Sequence, residues 1–156
     1  MKRLAWWVGV VASLVLVAGS AAVALEAAGP CEKMAHGMLI RVHGVRSGNG
    51  TLVAVLYGDK PDEFLKKGGR LARERVPARL GTVALCLGAP QPGVYAVAVY
   101  HDENDNHKFD RSWTGLPSEG FGVSNNPKPF LRAPTHGESV VQVGAGQRVV
   151  NIDLRY

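Results

Sequence analysis

Residues 94–126, VYAVAVYHDENDNHKFDRSWTGLPSEGFGVSNN, decide how this 156-residue chain is read. Positions 94–100 are apolar throughout, which is the signature of a strand covered on both faces and so of the central strand of a sheet. The strand runs directly into a polar loop in which Asp102, Asn104 and Asn106 recur at every second position, with Asp110 following. Residues 102–136 carry no helical or strand period and are rich in Asn, Gly, Pro and Ser. So long an irregular stretch inside a compact domain is either functional or anchored by something.

Strand signals flank this stretch on both sides. Residues 38–45 alternate, with Met38, Ile40 and Val42 opposite Leu39, Arg41 and His43, the period of a half-buried strand. Ser47-Gly48-Asn49-Gly50 reads as a hairpin turn that returns the chain as a second strand over 51–57. Asp59 to Phe64, with Pro61 early and acids in the first turn, predicts a turn or short helical start, ended by Gly68-Gly69. Residues 71–76 predict a basic edge strand, where charge discourages unwanted pairing. Residues 82–87 form another strand, and 139–143 with 149–156 a last hairpin around Gly144-Ala145-Gly146. In the terminal strand Val150, Ile152, Leu154 and Tyr156 face one way and Asn151, Asp153 and Arg155 the other. About seven short strands, turn signals between them and no long amphipathic helix predict an all-β fold: an antiparallel Greek-key β-sandwich, immunoglobulin-like or transthyretin-like, with one long loop. The sandwich is expected to be a single domain over 38–156.

The chain opens with Met1-Lys2-Arg3, continues without a charge over 4–25, and passes the small-residue triplet Ala22-Val23-Ala24. This is the layout of a secretory signal peptide over 1–24, followed by an N-terminal extension over 25–37; an uncleaved membrane anchor is the rival. The protein is therefore expected to be exported, periplasmic or extracellular, and to meet the membrane only through the leader. Removing the leader deletes Lys2 and Arg3 and lowers the formal charge from +5 to +3. Six cations fall between Lys66 and Arg79, but no helix-turn-helix, zinc-finger or aromatic-interleaved pattern accompanies them, so no nucleic-acid partner is expected. Cys31 and Cys86 are the two cysteines. An even count in an exported chain predicts a disulfide; a catalytic thiol is the alternative, though neither cysteine sits in a CxxC pair.

The Asp/Asn spacing has a chemical reading. Calcium takes hard oxygen ligands, and a turn that presents side-chain oxygens at alternate positions can wrap one cation. The candidate metal ligands are Asp102, Asn104, Asn106, the carbonyl of Lys108 and Asp110, in the register of positions 1, 3, 5, 7 and 9 of an EF-type loop. The register fails at position 6, where His107 replaces Gly, and at position 12, where Trp113 replaces Glu; Glu119 is the candidate to return and supply the missing carboxylate. Alternatively the same residues brace the loop through Asx-turns with no metal. Beside the loop, His101, Trp113, Glu119 and Phe121 are candidate binding residues, and Trp113, Phe121 and Phe130 an aromatic platform. No catalytic residue is assigned: there is no G-x-S-x-G elbow, no HExxH and no pair of histidines one helical turn apart.

Taken together, YAVAVYHDENDNHKFD, Gly115-Leu116-Pro117, Glu119-Gly120-Phe121-Gly122 and Ser124-Asn125-Asn126 form a long motif. It resembles the exported bacterial proteins of the domain of unknown function 2141 family, over about 38–156, with His107 where that family has Gly. The resemblance implies a secreted β-sandwich. The functional expectation is an exported, non-enzymatic binding or interaction module with a calcium-stabilised loop at 102–110. Its partner would be a protein, glycan or small molecule, contacted through 111–130. The alternatives are a periplasmic hydrolase-type enzyme centred on His101, Asp102 and Glu119, and a carbohydrate- or lipid-binding carrier using Trp113 and Phe121.

Overall fold

The computed structural model describes residues 31–128 and 132–156; the leader expected over 1–24 and the aromatic Phe130 lie outside them. Eight strands form: β1 (Gly37–Val45), β2 (Thr51–Tyr57), β3 (Arg70–Pro77), β4 (Gly81–Gly88), β5 (Gly93–Asp102), β6 (Gly120–Val123), β7 (Val140–Val143) and β8 (Arg148–Asp153). They build two sheets, one of order β4-β1-β8 and one of order β3-β2-β5, with β6 and β7 both on the free edge of β5. β6 pairs with Ala98 to His101 and β7 with Gly93 to Ala96, so these two short strands lie end to end along one edge. The expected all-β sandwich is thus present. All pairings are antiparallel except β1 with β8, which run parallel in the register Leu39↔Val149.

The alternation seen in the sequence maps onto the space between the sheets. Met38, Ile40 and Val42 meet Leu52, Ala54 and Leu56, then Leu85 and Leu87, Val97 and Val99, and Val150, Ile152 and Leu154 in one buried cluster. Every strand but β6 contributes alternate residues to it, because successive side chains leave a strand on opposite faces. β5 and β2 contribute their remaining residues as well. Val53, Val55, Tyr57, Ala96, Ala98 and Tyr100 form a second buried cluster on the outer face of the five-stranded sheet, covered by Phe64 and by the flanks of Phe109 and Phe121. The central strand is covered on both faces, as its uniformly apolar sequence requires.

Two of the expected hairpins are crossings instead. The 47–50 turn carries the chain from β1 in one sheet to β2 in the other, and 144–147 does the same between β7 and β8. Gly-rich turns allow a reversal, but alternation says only that a strand has a core face, and both sheets face the same core. The stretch 102–136, expected to be all loop, contains β6. Ser124 secures the end of this strand: its hydroxyl accepts from the Val97 amide at 2.9 Å and donates to the Ser139 carbonyl. Asn125 and Asn126, both in the left-handed region, turn the chain so that Asn125 Nδ2 donates to the Val140 carbonyl and Asn126 Oδ1 accepts from the Asp153 amide. A one-turn helix, His136–Ser139, follows behind a Thr135/Glu138 capping box. The basic strand expected at 71–76 is β3 and lies at the sheet edge, as expected.

Cys31 and Cys86 are joined, with Cα atoms 5.4 Å apart and a sequence separation of 55. Cys86 sits on β4, an edge strand of the three-stranded sheet. The turn around Cys31 packs onto the same end of the sandwich, where the Ala89 amide donates to the His36 carbonyl and the Gly146 amide to the Ala35 carbonyl. Among the described residues no helix is long and apolar enough to cross a membrane.

Candidate functional site: the loop after β5 and the groove beside it

β5 ends in two fully buried polar residues, His101 and Asp102. As neighbours on a strand they point to opposite faces. His101 lies on the side of the inter-sheet core. Its Nε2 is 2.7 Å from the Asn49 carbonyl and its Nδ1 2.7 Å from the Tyr156 hydroxyl. A carbonyl can only accept, so in the neutral ring Nε2–H donates to Asn49 and Nδ1 accepts the Tyr156 proton. Both nitrogens are engaged in tying the β1–β2 crossing to the C-terminus.

Asp102 points the other way, into the loop. Its Oδ1 accepts from the Asn106 amide at 3.0 Å, and its Oδ2 from the His107 amide at 2.9 Å and from Arg75 Nη1 at 3.1 Å. The spacing of Asp and Asn then closes a chain of Asx-turns: Asn104 Oδ1 accepts from the Asn106 amide at 3.1 Å and Asn106 Oδ1 from the Lys108 amide at 2.8 Å. The Nδ2 groups of Asn104 and Asn106 both donate to Asp110 Oδ2, at 2.8 and 2.7 Å. His107, which breaks the EF-type pattern by residue type, adopts φ 66°. The turn that glycine would make is therefore made with a left-handed histidine, a strained conformation for a residue with a Cβ.

Trp113, at the register position for the last ligand, is 96% exposed at the tip of a side excursion. That excursion is closed by the Ser112 amide to the Leu116 carbonyl and the Ser118 amide to the Asp110 carbonyl. Glu119 comes back in its place. It is 5% exposed, its Oε2 accepts from the Asp110 amide at 3.0 Å, and its Oε1 is buried with no hydrogen-bond partner. Burial pushes its carboxyl above the ordinary range; the Asp110 amide opposes this, and the charges of Asp110 and Asp102 add to it. The folded state therefore holds this proton more tightly than the unfolded chain, so Glu119 lowers stability as pH rises above the ordinary value of 4.5. Glu103 behaves in the opposite sense. The Arg46 guanidinium grips both its oxygens and holds its carboxyl below the ordinary range, a contribution lost as pH falls.

A second acidic cluster, Asp102, Asp105 and His107, has its ligand atoms within 4.8 Å of one another. Arg75 already stands there, with Nη1 3.1 Å from Asp102 and 3.7 Å from Asp105. A guanidinium supplies the positive charge of this cluster.

The loop walls a groove. Phe109 packs at a tilt against Tyr100 and Phe121 against Phe109, both with ring centroids 5.4 Å apart, extending the outer face of the five-stranded sheet into an apolar floor. Above this floor lies a cavity of about 510 Å³, bounded by Arg111, Leu116 and Pro117 of the loop and, across it, by Leu65, Arg70, Lys128 and Pro134. Of the sequence candidates, Asp102, Asn104, Asn106, Lys108, Asp110 and Glu119 come together in the loop. Phe121 lies on the groove floor, His101 lies on the opposite face of β5, and Trp113 does not line the groove. Sequence reasoning did not single out Tyr100, Phe109, Arg75 and Tyr156. The signal for the first was the second apolar register of β5, which called for a cover; Arg75 reaches Asp102 across β2 within one sheet and Tyr156 reaches His101 from beyond β8 of the other, and neither left one.

The profile of a bacterial family described as "uncharacterized protein conserved in bacteria (DUF2141)" matches residues 40–151. The chain belongs to the DUF2141 family. The match runs from β1 into β8 and takes in the whole Asp/Asn loop and the floor of the groove, while Cys31 and Tyr156 fall beyond it. No curated protein and no solved structure matches this DUF2141 chain.

Proposed function

We propose that this DUF2141 protein is an exported, non-enzymatic binding module that takes its ligand in the groove over the outer face of the five-stranded sheet. The observation that carries this reading is the cavity itself. At about 510 Å³ it falls in the ~300–1,000 Å³ range of small-molecule sites, and it combines an apolar aromatic floor with a few polar groups at its edge. A sheet face that served stability alone would be closed by its covering loop. Export is supported by the leader-like start of the sequence and by a disulfide of the kind that persists in oxidising compartments. A neutral apolar dye, Nile red, is expected to bind saturably with a rise in fluorescence. Phe121→Gln, which puts an amide on the floor at a half-buried position, is expected to weaken that binding at least about fivefold, since burying a side chain this size contributes roughly 1.5–3 kcal/mol. Absence of saturable binding to a folded protein would sink the reading.

Glu119 favours a second reading, in which the loop holds calcium. The cation would sit among Asp102, Asn104, Asn106, the Lys108 carbonyl and Asp110, with the orphaned Glu119 Oε1 as a further oxygen. In this reading calcium stiffens the wall of the groove. Removing Asp102 cannot test it, because that side chain braces the turn with or without metal. Glu119→Gln can. In excess EDTA the variant is expected to melt at or above the wild-type temperature, since it removes a buried unpaired charge. With calcium at one hundred times its dissociation constant, wild type should gain about 2.7 kcal/mol and the variant little. Equal responses of the two proteins to calcium would remove Glu119 as a ligand, and no response in either would leave the Asx network as the sole brace.

A further inference from the structure

Of the cations that line the groove, Arg132 alone has an acidic partner among the described residues. Arg46, Lys60, Arg75 and Arg132 are paired with Glu103, Glu63, Asp102 and Glu138. Arg70, Arg111, Lys128 and Arg155 also line the groove, and among the described residues none of them takes part in an ion pair. Two of the four are nevertheless held in place. Arg111 Nη1 donates to the Gly115 carbonyl at 3.0 Å, with its guanidinium 5.1 Å from the Phe109 ring. Arg155 Nη1 donates to the Pro127 carbonyl at 3.0 Å. Each guanidinium bonded in this way keeps further N–H groups for an incoming acceptor. With Glu138 taken up by Arg132 and Asp153 the other acid of the lining, the groove keeps an excess of positioned cations at the edge of an apolar aromatic floor.

We propose that the occupant is a single-chain amphipathic anion: an acyl chain laid over Tyr100, Phe109 and Phe121, with a carboxylate head met by Arg111 and Arg155. This rests on the groove being the ligand site and names the class of ligand it takes. The apolar floor supplies most of the affinity, through the area removed from water. The arginines supply the discrimination, because a carboxylate reaching them makes charge-assisted hydrogen bonds that a neutral head cannot match.

The test is calorimetric titration of the protein with dodecanoate, dodecanol and acetate, each below the concentration at which it self-associates, with Nile red displacement as a second readout. Dodecanoate is expected to bind at least tenfold more tightly than dodecanol, the size of one hydrogen bond to a charged group, and acetate not measurably. In Arg111→Gln/Arg155→Gln, whose exposed side chains leave the core untouched, the two amphiphiles should become equal within about threefold. Equal binding of both by the wild-type protein would overturn the anionic head while leaving the groove a ligand site. Nile red binding that neither amphiphile displaces would overturn the acyl class. If Nile red itself fails to bind, the groove reading falls and this inference falls with it.

Discussion

Asp102→Ala is expected to lower the stability of the domain by about 3 kcal/mol, at the lower end of the cost of breaking a buried charge pair. The Asp102 side chain has no exposed surface, and its two oxygens serve three donors: the Asn106 amide, the His107 amide and Arg75. Alanine leaves the His107 amide without its acceptor, leaves the Asn106 amide with Asn104 Oδ1 alone, and returns Arg75 to a site where its Nη2 already lacks a partner. The Arg75 side chain is 25% exposed, and partial access to water is what keeps the figure at the lower end. Asp102→Asn is expected to lose nearly as much despite its equal size. An amide has one acceptor oxygen where the site presents donors to two, and its NH2 group would face a donor. Urea unfolding should show a lower midpoint at an unchanged slope, and hydrogen exchange should show lost protection at Asn106 and His107. A loss below about 1 kcal/mol would mean that water replaces the carboxylate, and that the loop is held by Glu119 and Asp110 instead.

The disulfide carries the other large effect. Cys31 and Cys86 close a loop across a sequence separation of 55, and by chain-entropy reasoning its loss in Cys31→Ala/Cys86→Ala should cost about 4 kcal/mol. The structure also says where the loss acts. Cys31 anchors a turn whose backbone bonds to Ala89 and Gly146 tie the end of β4 to the β7–β8 crossing, so the three-stranded sheet should fray first. The groove lies on the far face of the other sheet. Nile red binding at a temperature where both proteins are folded is therefore expected to survive the double substitution. A midpoint unchanged in reductant would show that the hydrophobic contacts of the turn hold it without the bridge.

Glu119 and Trp113 show where the reading of the loop parted from its structure. By count Trp113 occupies the position of the last ligand, and the residue that returns lies six positions later. The intervening segment folds out as an excursion closed on itself, and a fixed register cannot anticipate that. His107 shows the converse. Its residue type contradicts the turn, yet its backbone makes it, because the two oxygens of Asp102 and the Asx chain hold the loop on either side.

Seven of the eight strands, the identity of the central one and the anchoring of the long segment after it were legible in the sequence. All three follow from local rules: side chains alternate along a strand, a strand apolar on both sides needs two covers, and Asp and Asn two residues apart make turns. The even cysteine count with a leader-like start predicted the Cys31–Cys86 bridge, and the structure joins the two. The tertiary structure alone decided that the Gly-rich turns at 47–50 and 144–146 cross between sheets, that β1 and β8 run parallel, and that Gly120–Val123 is a strand. It alone placed His101 and Asp102 on opposite errands, brought Arg75 and Tyr156 to them, and opened a groove between Phe121 and its rim of arginines. Strand position is a property of a dozen consecutive residues. Strand partners, buried ion pairs and grooves are settled by which arrangement of all eight strands buries the most apolar surface while leaving the fewest polar groups alone.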